Sequence, residues 1–271
     1  MITNSKRTVY GNDLALHKML GKKYKLLPNT TLNEKFSLLY NEKIPDYRDL
    51  NIRYYGIGVG GIKTVNDDGT YTYAQHLPTD ASLYEQIPFV MKKVNNDILD
   101  SEKSKYRFRI KEVWNNEEYY CYYLKVIDYD NVINNIFNIT KLKDKFTLSK
   151  FSSDSSKYLN PDPDYESNVD SAIDADYITN VAKLKFSLNK DELIEINNVM
   201  DIRYSGSDKP ISEIAICSGI DKEIPEANII EAIGVQVCYF ANIDLKTTLL
   251  KNVNHEVIRA IEIGGLEPLK V

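Results

Sequence analysis

A mainly β chain with a few helices, its strands antiparallel in sheets or a sandwich, is the fold class this sequence predicts. Three observations carry that prediction. Residues 106–126 alternate in β-favouring types, with 119–124 reading YYCYYL. Turn-forming clusters sit at Asn66-Asp67-Asp68-Gly69 and Asn115-Asn116-Glu117, where short polar side chains and glycine tolerate the backbone reversal a hairpin needs. No strand–helix–strand repetition and no internal repeat runs through the chain, which argues against a parallel α/β sheet or a solenoid.

The first fifty residues look unlike the rest. They offer one short helical pattern, Leu14, Met19 and Leu20 among polar residues, and then an extended stretch broken by Pro28 and Pro45. Residues 1–50 are therefore expected to form an arm that packs on something else, and residues 51–271 a β-rich body. Within the body, Ile62 to Val65 and Tyr71 to Ala74 flank the first turn. The long hairpin places Tyr119, Cys121 and Tyr123 on one face and Tyr120, Tyr122, Leu124 and Val126 on the other. Both faces are apolar enough to be covered.

Residues 152–176 then read as an inserted acidic loop, rich in Asp, Ser and Asn and poor in large apolar residues. Order resumes with a strand at Val181 to Leu188, whose Ala182, Leu184, Phe186 and Leu188 share a face. Asn189 is placed to cap a helix with Leu193, Ile196 and Met200 in one stripe. Strands follow at Ile211 to Cys217, Gly234 to Ala241 and Val257 to Ile263, the last expected to end at Gly264-Gly265.

Composition excludes several function classes. The 34 basic and 39 acidic residues leave a net charge of -5, which disfavours nucleic-acid binding as the main activity. No apolar run reaches the roughly 20 residues of a membrane helix, and the N-terminus lacks the apolar stretch of a signal peptide; synthesis in the cytoplasm is expected. Cys121, Cys217 and Cys238 are widely spaced and form no CxxC, so reduced, buried thiols are expected.

Candidate chemistry is thin. Gly56, Gly58 and Gly61 match GxGxxG, but a dinucleotide site needs a helix to open there, and Ile62-Lys63-Thr64-Val65 leads into a turn instead. A bend, bulge or close-packed strand is the expected role. Asp162, Asp164, Glu166, Asn168 and Asp170 alternate as oxygen ligands would, yet Ser167 and Ile173 stand where a calcium loop needs Gly and Glu. His17, His76 and His255 show no metal-ligand spacing with the cysteines. A Cys217, His76 and Asp80 triad could be written down, but His76 and Asp80 are expected to brace the loop 74–86. The tyrosines suit a sheet face or a subunit interface.

The runs GNDLALHKMLG with PNTTLNEKFSL, IRYYGIGVGG, QHLPTDASLYEQIPFVMK, RFRIKEVWNNEEYYCYYLKVID and ISEIAICSGID together resemble a group of structural proteins of tailed bacteriophages, of neck, connector or tail type. The resemblance covers most of the chain apart from the acidic loop and brings no active site with it. It implies a non-enzymatic virion component, made in the host bacterial cytoplasm, that assembles into a ring. Its implied partners are copies of itself and portal, neck or tail proteins. No cofactor, membrane, sequence-specific nucleic acid or small-molecule substrate is expected. The interface candidates are Leu14, Met19, Leu20 and Phe36 in the arm, Tyr54, Tyr55, Gly58, Tyr119 and Tyr122 in the body, and Asp162 and Asp164 in the acidic loop. A virion-associated hydrolase, or a carbohydrate- or receptor-binding module, is the alternative.

Overall fold

The structure is a computed structural model that describes residues 2–44, 46, 49–67, 69–129, 133–142, 145–150, 159, 175–205, 209–245 and 257–268. Its architecture grows from the long hairpin. Strands β7 (Tyr106–Trp114) and β8 (Glu117–Val126) pair antiparallel with Trp114 opposite Glu117, so Asn115 and Asn116 alone make the turn. Both have positive φ, 49° and 61°, the conformation that lets a two-residue loop follow the right-handed twist of its strands. Cys121, Tyr122, Tyr123 and Leu124 are all buried, so both faces of β8 are covered.

In chain order the remaining elements are β1 (Ile2–Arg7), α1 (Val9–Met19), α2 (Leu32–Lys35), β2 (Asn51–Gly58), β3 (Ile62–Val65), β4 (Tyr71–Tyr73), β5 (Gln86–Ile87), β6 (Val90–Lys93), α3 (Asp100–Lys103), β9 (Ile133–Leu142), β10 (Lys145–Lys150), β11 (Ala175–Leu188), α4 (Lys190–Tyr204), β12 (Ile211–Ile224), β13 (Ile229–Leu245) and β14 (Val257–Pro268). Twelve strands join in the order β10-β9-β11-β14-β1-β13-β12-β2-β8-β6, with β5 added to β2 and β7 to β8, while β3 and β4 form a separate hairpin. The fold is mainly β with a few helices. Among the described residues every pairing is antiparallel except β1 with β14.

The end of β11 comes back over β2 and β8. Phe186 meets Tyr55 edge-on at 4.7 Å between ring centres, and Lys125 Nζ donates to the Ser187 carbonyl at 3.0 Å. Leu184, Phe186 and Leu188 are buried on the expected face. Asn189 accepts from the Glu192 amide while the Glu192 side chain accepts from the Asn189 amide, a reciprocal cap that fixes where α4 starts. Leu193, Ile196 and Met200 are buried along it.

Two expectations need correction. Residues 1–50 are not a separate arm: β1 lies between β13 and β14 inside the sheet, and Leu14, Leu32 and Leu50 are buried in the chain's own core. Hydrogen bonding does the rest. Asn33 Oδ1 accepts from the Val235 amide and its Nδ2 donates to the Ala232 carbonyl, satisfying backbone groups freed where Gly234 takes φ of 61° and the β12–β13 register shifts. Tyr24 and Thr30 bind opposite ends of the buried Gln236 amide. The second correction is at Gly264-Gly265, where β14 does not stop; Gly264 pairs with Val181 and Gly265 with Asn180, and the strand runs on to Pro268.

Candidate functional site

The glycine-rich segment closes around one carboxylate. Strand β2 ends at Gly58, and residues 59–61 turn into β3 rather than into a helix. Gly58 is needed for closeness: a Cβ there would stand 2.5 Å from Glu213 Oε1 and 2.7 Å from the Glu85 carbonyl oxygen. Glu213 lies on the central strand β12 with no exposure. Its Oε1 accepts from the Gly60 and Glu85 amides, both at 3.0 Å, and its Oε2 accepts from the Tyr84 amide at 3.2 Å. His76 Nε2 lies 2.9 Å from the same oxygen. Charge-assisted bonds of this kind are stronger than neutral ones.

His76 is locked in turn. Its ring is sandwiched between Tyr84 and Phe240, with centres 4.1 and 3.9 Å away, and its Nδ1 faces Asp80 Oδ2 at 3.1 Å. Asp80 also accepts from the Leu77 amide. This is the loop brace expected of His76 and Asp80, now anchored to the sheet by Glu213. The triad with Cys217 does not assemble, because both ring nitrogens face carboxylates. Burial raises all three thiols, Cys121 to about 12 and Cys217 and Cys238 upward, which keeps them poor nucleophiles.

A second buried carboxylate sits on the neighbouring strand. Glu231 accepts from the Phe108 and Arg109 amides at 2.7 and 3.1 Å. Phe108 has φ of 57° and lies between the paired residues Arg107 and Arg109 with the β7–β8 register unchanged on either side, so Glu231 holds a local kink in β7 whose amides turn toward β13. Burial pushes its carboxyl up to about 7, against the pull of those two amides and of Arg107 and Arg109.

Most candidate tyrosines turn inward. Tyr54 is fully buried with its hydroxyl donating to Asp221 at 2.6 Å, and Arg107 grips the same carboxylate with two nitrogens at 2.7 and 2.9 Å. Tyr55 packs on Phe89 and Phe186. Tyr122 is buried and donates to Asp97, while Tyr119 is buried beside it on β8. Of the two roles open to these rings, filling a sheet face is the one they take, so as interface residues they are corrected to core. Leu14 is buried, and Phe36 packs against Phe108 and Tyr123. Met19 and Leu20, by contrast, are 83 % and 67 % exposed. Asp162, Asp164 and the calcium-like spacing lie outside the described residues.

Beside α1 opens a cavity of about 830 Å³ that sequence reasoning missed. Leu14, Ile52, Val126, Ile127 and Leu184 give it an apolar floor, and Arg7, Lys18 and Arg53 give it cationic walls. These residues are far apart in sequence and share no motif. The two glutamates did leave a trace: each interrupts an apolar strand, as ISEIAIC and IIEAIGV, where a charge survives only if bonded.

Among the described residues no group of three or more His, Cys, Asp or Glu side chains is placed to hold a metal ion, and no helix is long and apolar enough to cross a membrane. The chain belongs to a family of unknown function, DUF7208, whose family model matches residues 2–271. No curated protein and no solved structure matches it.

Proposed function

We propose that this chain is a structural component of a tailed-phage virion that assembles through subunit contacts into a ring of the neck, connector or tail. The observation that carries the reading is the exposed apolar end of α1. Leu16, Met19 and Leu20 are 55 %, 83 % and 67 % exposed, and their i, i+3, i+4 spacing puts them on one side of the helix. Large apolar side chains grouped in water mark a surface built to be covered. The polar groups that invite a catalytic reading are instead occupied in joining segments, as at Glu213 and His76. The resemblance of the sequence runs to phage structural proteins supplies the class of assembly, and a ring follows from heterologous contacts that close by rotation.

Met19→Asp with Leu20→Asp tests the reading. Both positions are exposed, so the change should leave the melting temperature within about 2 °C, since surface substitutions cost within about 0.5 kcal/mol. Sedimentation velocity should show the wild-type chain as a closed oligomer, alone or with its neck or tail partner, and the variant as a monomer. A wild-type chain that stays monomeric in both settings and is missing from purified particles would sink the proposal.

A further inference from the structure

We infer that the basic, apolar end of α1 receives the β3–β4 hairpin of a second copy of this chain, so that copies join head to tail. The inference rests on the assembly reading above and names the two surfaces that meet.

The receiving surface is fixed by how α1 ends. Gly21 takes φ of 60°, and its amide and that of Lys22 donate back to the Lys18 and His17 carbonyls, so the chain reverses beside the last turn. Lys22 and Lys23 are thereby set next to the exposed Met19 and Leu20. Residues 14–33 hold four lysines and no acid. Among the described residues no carboxylate pairs with Lys22, Lys23 or Lys25. Apolar area and positive charge together call for a partner that brings apolar side chains and acids.

The hairpin supplies both. Strands β3 and β4 pair only with each other among the described residues, and residues 63–67, 69, 70 and 72 are all exposed. A two-stranded hairpin standing in water is marginal by itself and gains from a surface that covers it. Its turn is nonetheless held: Asn66 donates to the Thr70 carbonyl and hydroxyl, and Gly69, at φ of 79°, donates to the Asn66 carbonyl. Val65 pairs with Tyr71 and so shares a face with Tyr71 and Tyr73, while Thr64 and Thr72 take the other. Val65 is 65 % exposed. Acids flank this stripe, Asp67 at the tip and Asp244 at the root, where its charge adds to burial in raising the Tyr73 hydroxyl. Residues 62–73 carry Asp67 and Asp68 against Lys63, a net charge opposite to that of residues 14–33. Position makes the contact head to tail. The hairpin root is tied to β13 where Asn242 donates to the Ala74 carbonyl, and the run after α1 where Tyr24 donates to Gln236. Those anchors lie about 20 Å apart along the strand at about 3.4 Å per residue. Unlike surfaces displaced in this way pair between successive copies, and the chain of copies closes into a ring where the rotation closes.

Cross-linking and charge reversal in the full chain test this. Met19→Cys and Val65→Cys fall on exposed positions, and the three native cysteines are buried, so the melting temperature should stay within about 2 °C. Under copper-catalysed air oxidation the double variant should give a ladder of covalent multimers on a non-reducing gel. A mixture of the two single variants should give dimers, and neither single variant alone should give any. In sedimentation, Lys22→Glu with Lys23→Glu, and Asp67→Lys separately, should each weaken self-association at least tenfold. An equimolar mixture of the two should recover it, because every reversed surface then finds a reversed partner. Dimers from Met19→Cys alone would show α1 meeting α1 and overturn the inference. A double variant without a ladder, or an Asp67→Lys chain that associates like wild type, overturns it as well. If the chain still sediments as an oligomer in those cases, the assembly proposal stands. A wild-type chain that is monomeric alone and with its partners, and missing from particles, removes both.

Discussion

Glu213 and Glu231 stand on adjacent central strands, each buried and each bonded to backbone amides, yet they do different work. Glu213 gathers four donors from three places, the turn after β2, the ring of His76 and the two residues just before β5. Glu231 takes two consecutive amides from one place, the kink at Phe108 in β7. The first joins separate loops to the sheet; the second props a local irregularity. Donor number and donor origin, more than burial, decide what a buried charge does, because removing an acceptor strands every donor aimed at it.

The largest effect should come from breaking the first site. Glu213→Ala leaves three amides and a histidine without their shared acceptor, and about 3–5 kcal/mol of stability should be lost, the range for uncovering a buried charged partner. Urea denaturation checks this. A loss below about 1 kcal/mol would mean that the loops are held by something else.

Glu231 should show itself through pH. Its carboxyl is raised to about 7 by burial, so the folded state holds its proton more tightly than the unfolded chain does. Its contribution is fully present below the ordinary carboxylate value near 4.5 and is lost as pH rises through about 7. The swing should approach about 3 kcal/mol, and Glu231→Gln should flatten that limb of the stability profile. Asp97 and Asp221 act in the opposite window. Their pKa values are lowered despite burial, Asp97 through Tyr122 and Arg109 and Asp221 through Arg107 and Tyr54; their contribution is lost as pH falls below about 4. A wild-type profile flat between pH 4.5 and 7 would contradict the assignment to Glu231.

Gly58 sharpens the contrast with a smaller effect. Because a side chain there meets Glu213 and the Glu85 carbonyl, Gly58→Val should cost about 2 kcal/mol through overpacking. The cost should be non-additive with Glu213→Ala, since the two positions touch. Additive losses would show that the glycine acts through some other neighbour.

How much of this was legible in the sequence depended on range. The β7–β8 hairpin, the β3–β4 turn and the capped start of α4 were readable because alternation, turn residues and caps are local signals. The N-terminal residues misled because Ile2-Thr3-Asn4-Ser5-Lys6-Arg7 is polar for a central strand; its place is secured by backbone pairing to β13 and β14 more than 230 residues away. Strands β9 and β10 went unread, since Ile133, Ile136 and Ile139 recur every third residue and do not alternate. The glycines revealed a tight turn but not its partner, because Glu213 reaches it from across the sheet. The cavity was invisible for the same reason.

The central proposal, that the chain builds a ring of a tailed-phage virion through the α1 surface, is tested most directly by cryo-electron microscopy of the purified particles it implies. The account predicts several copies related by rotation in the neck or tail, with Leu16, Met19 and Leu20 of each covered by its neighbour. A particle without the chain, or one in which it sits singly with that face of α1 in water, would contradict it.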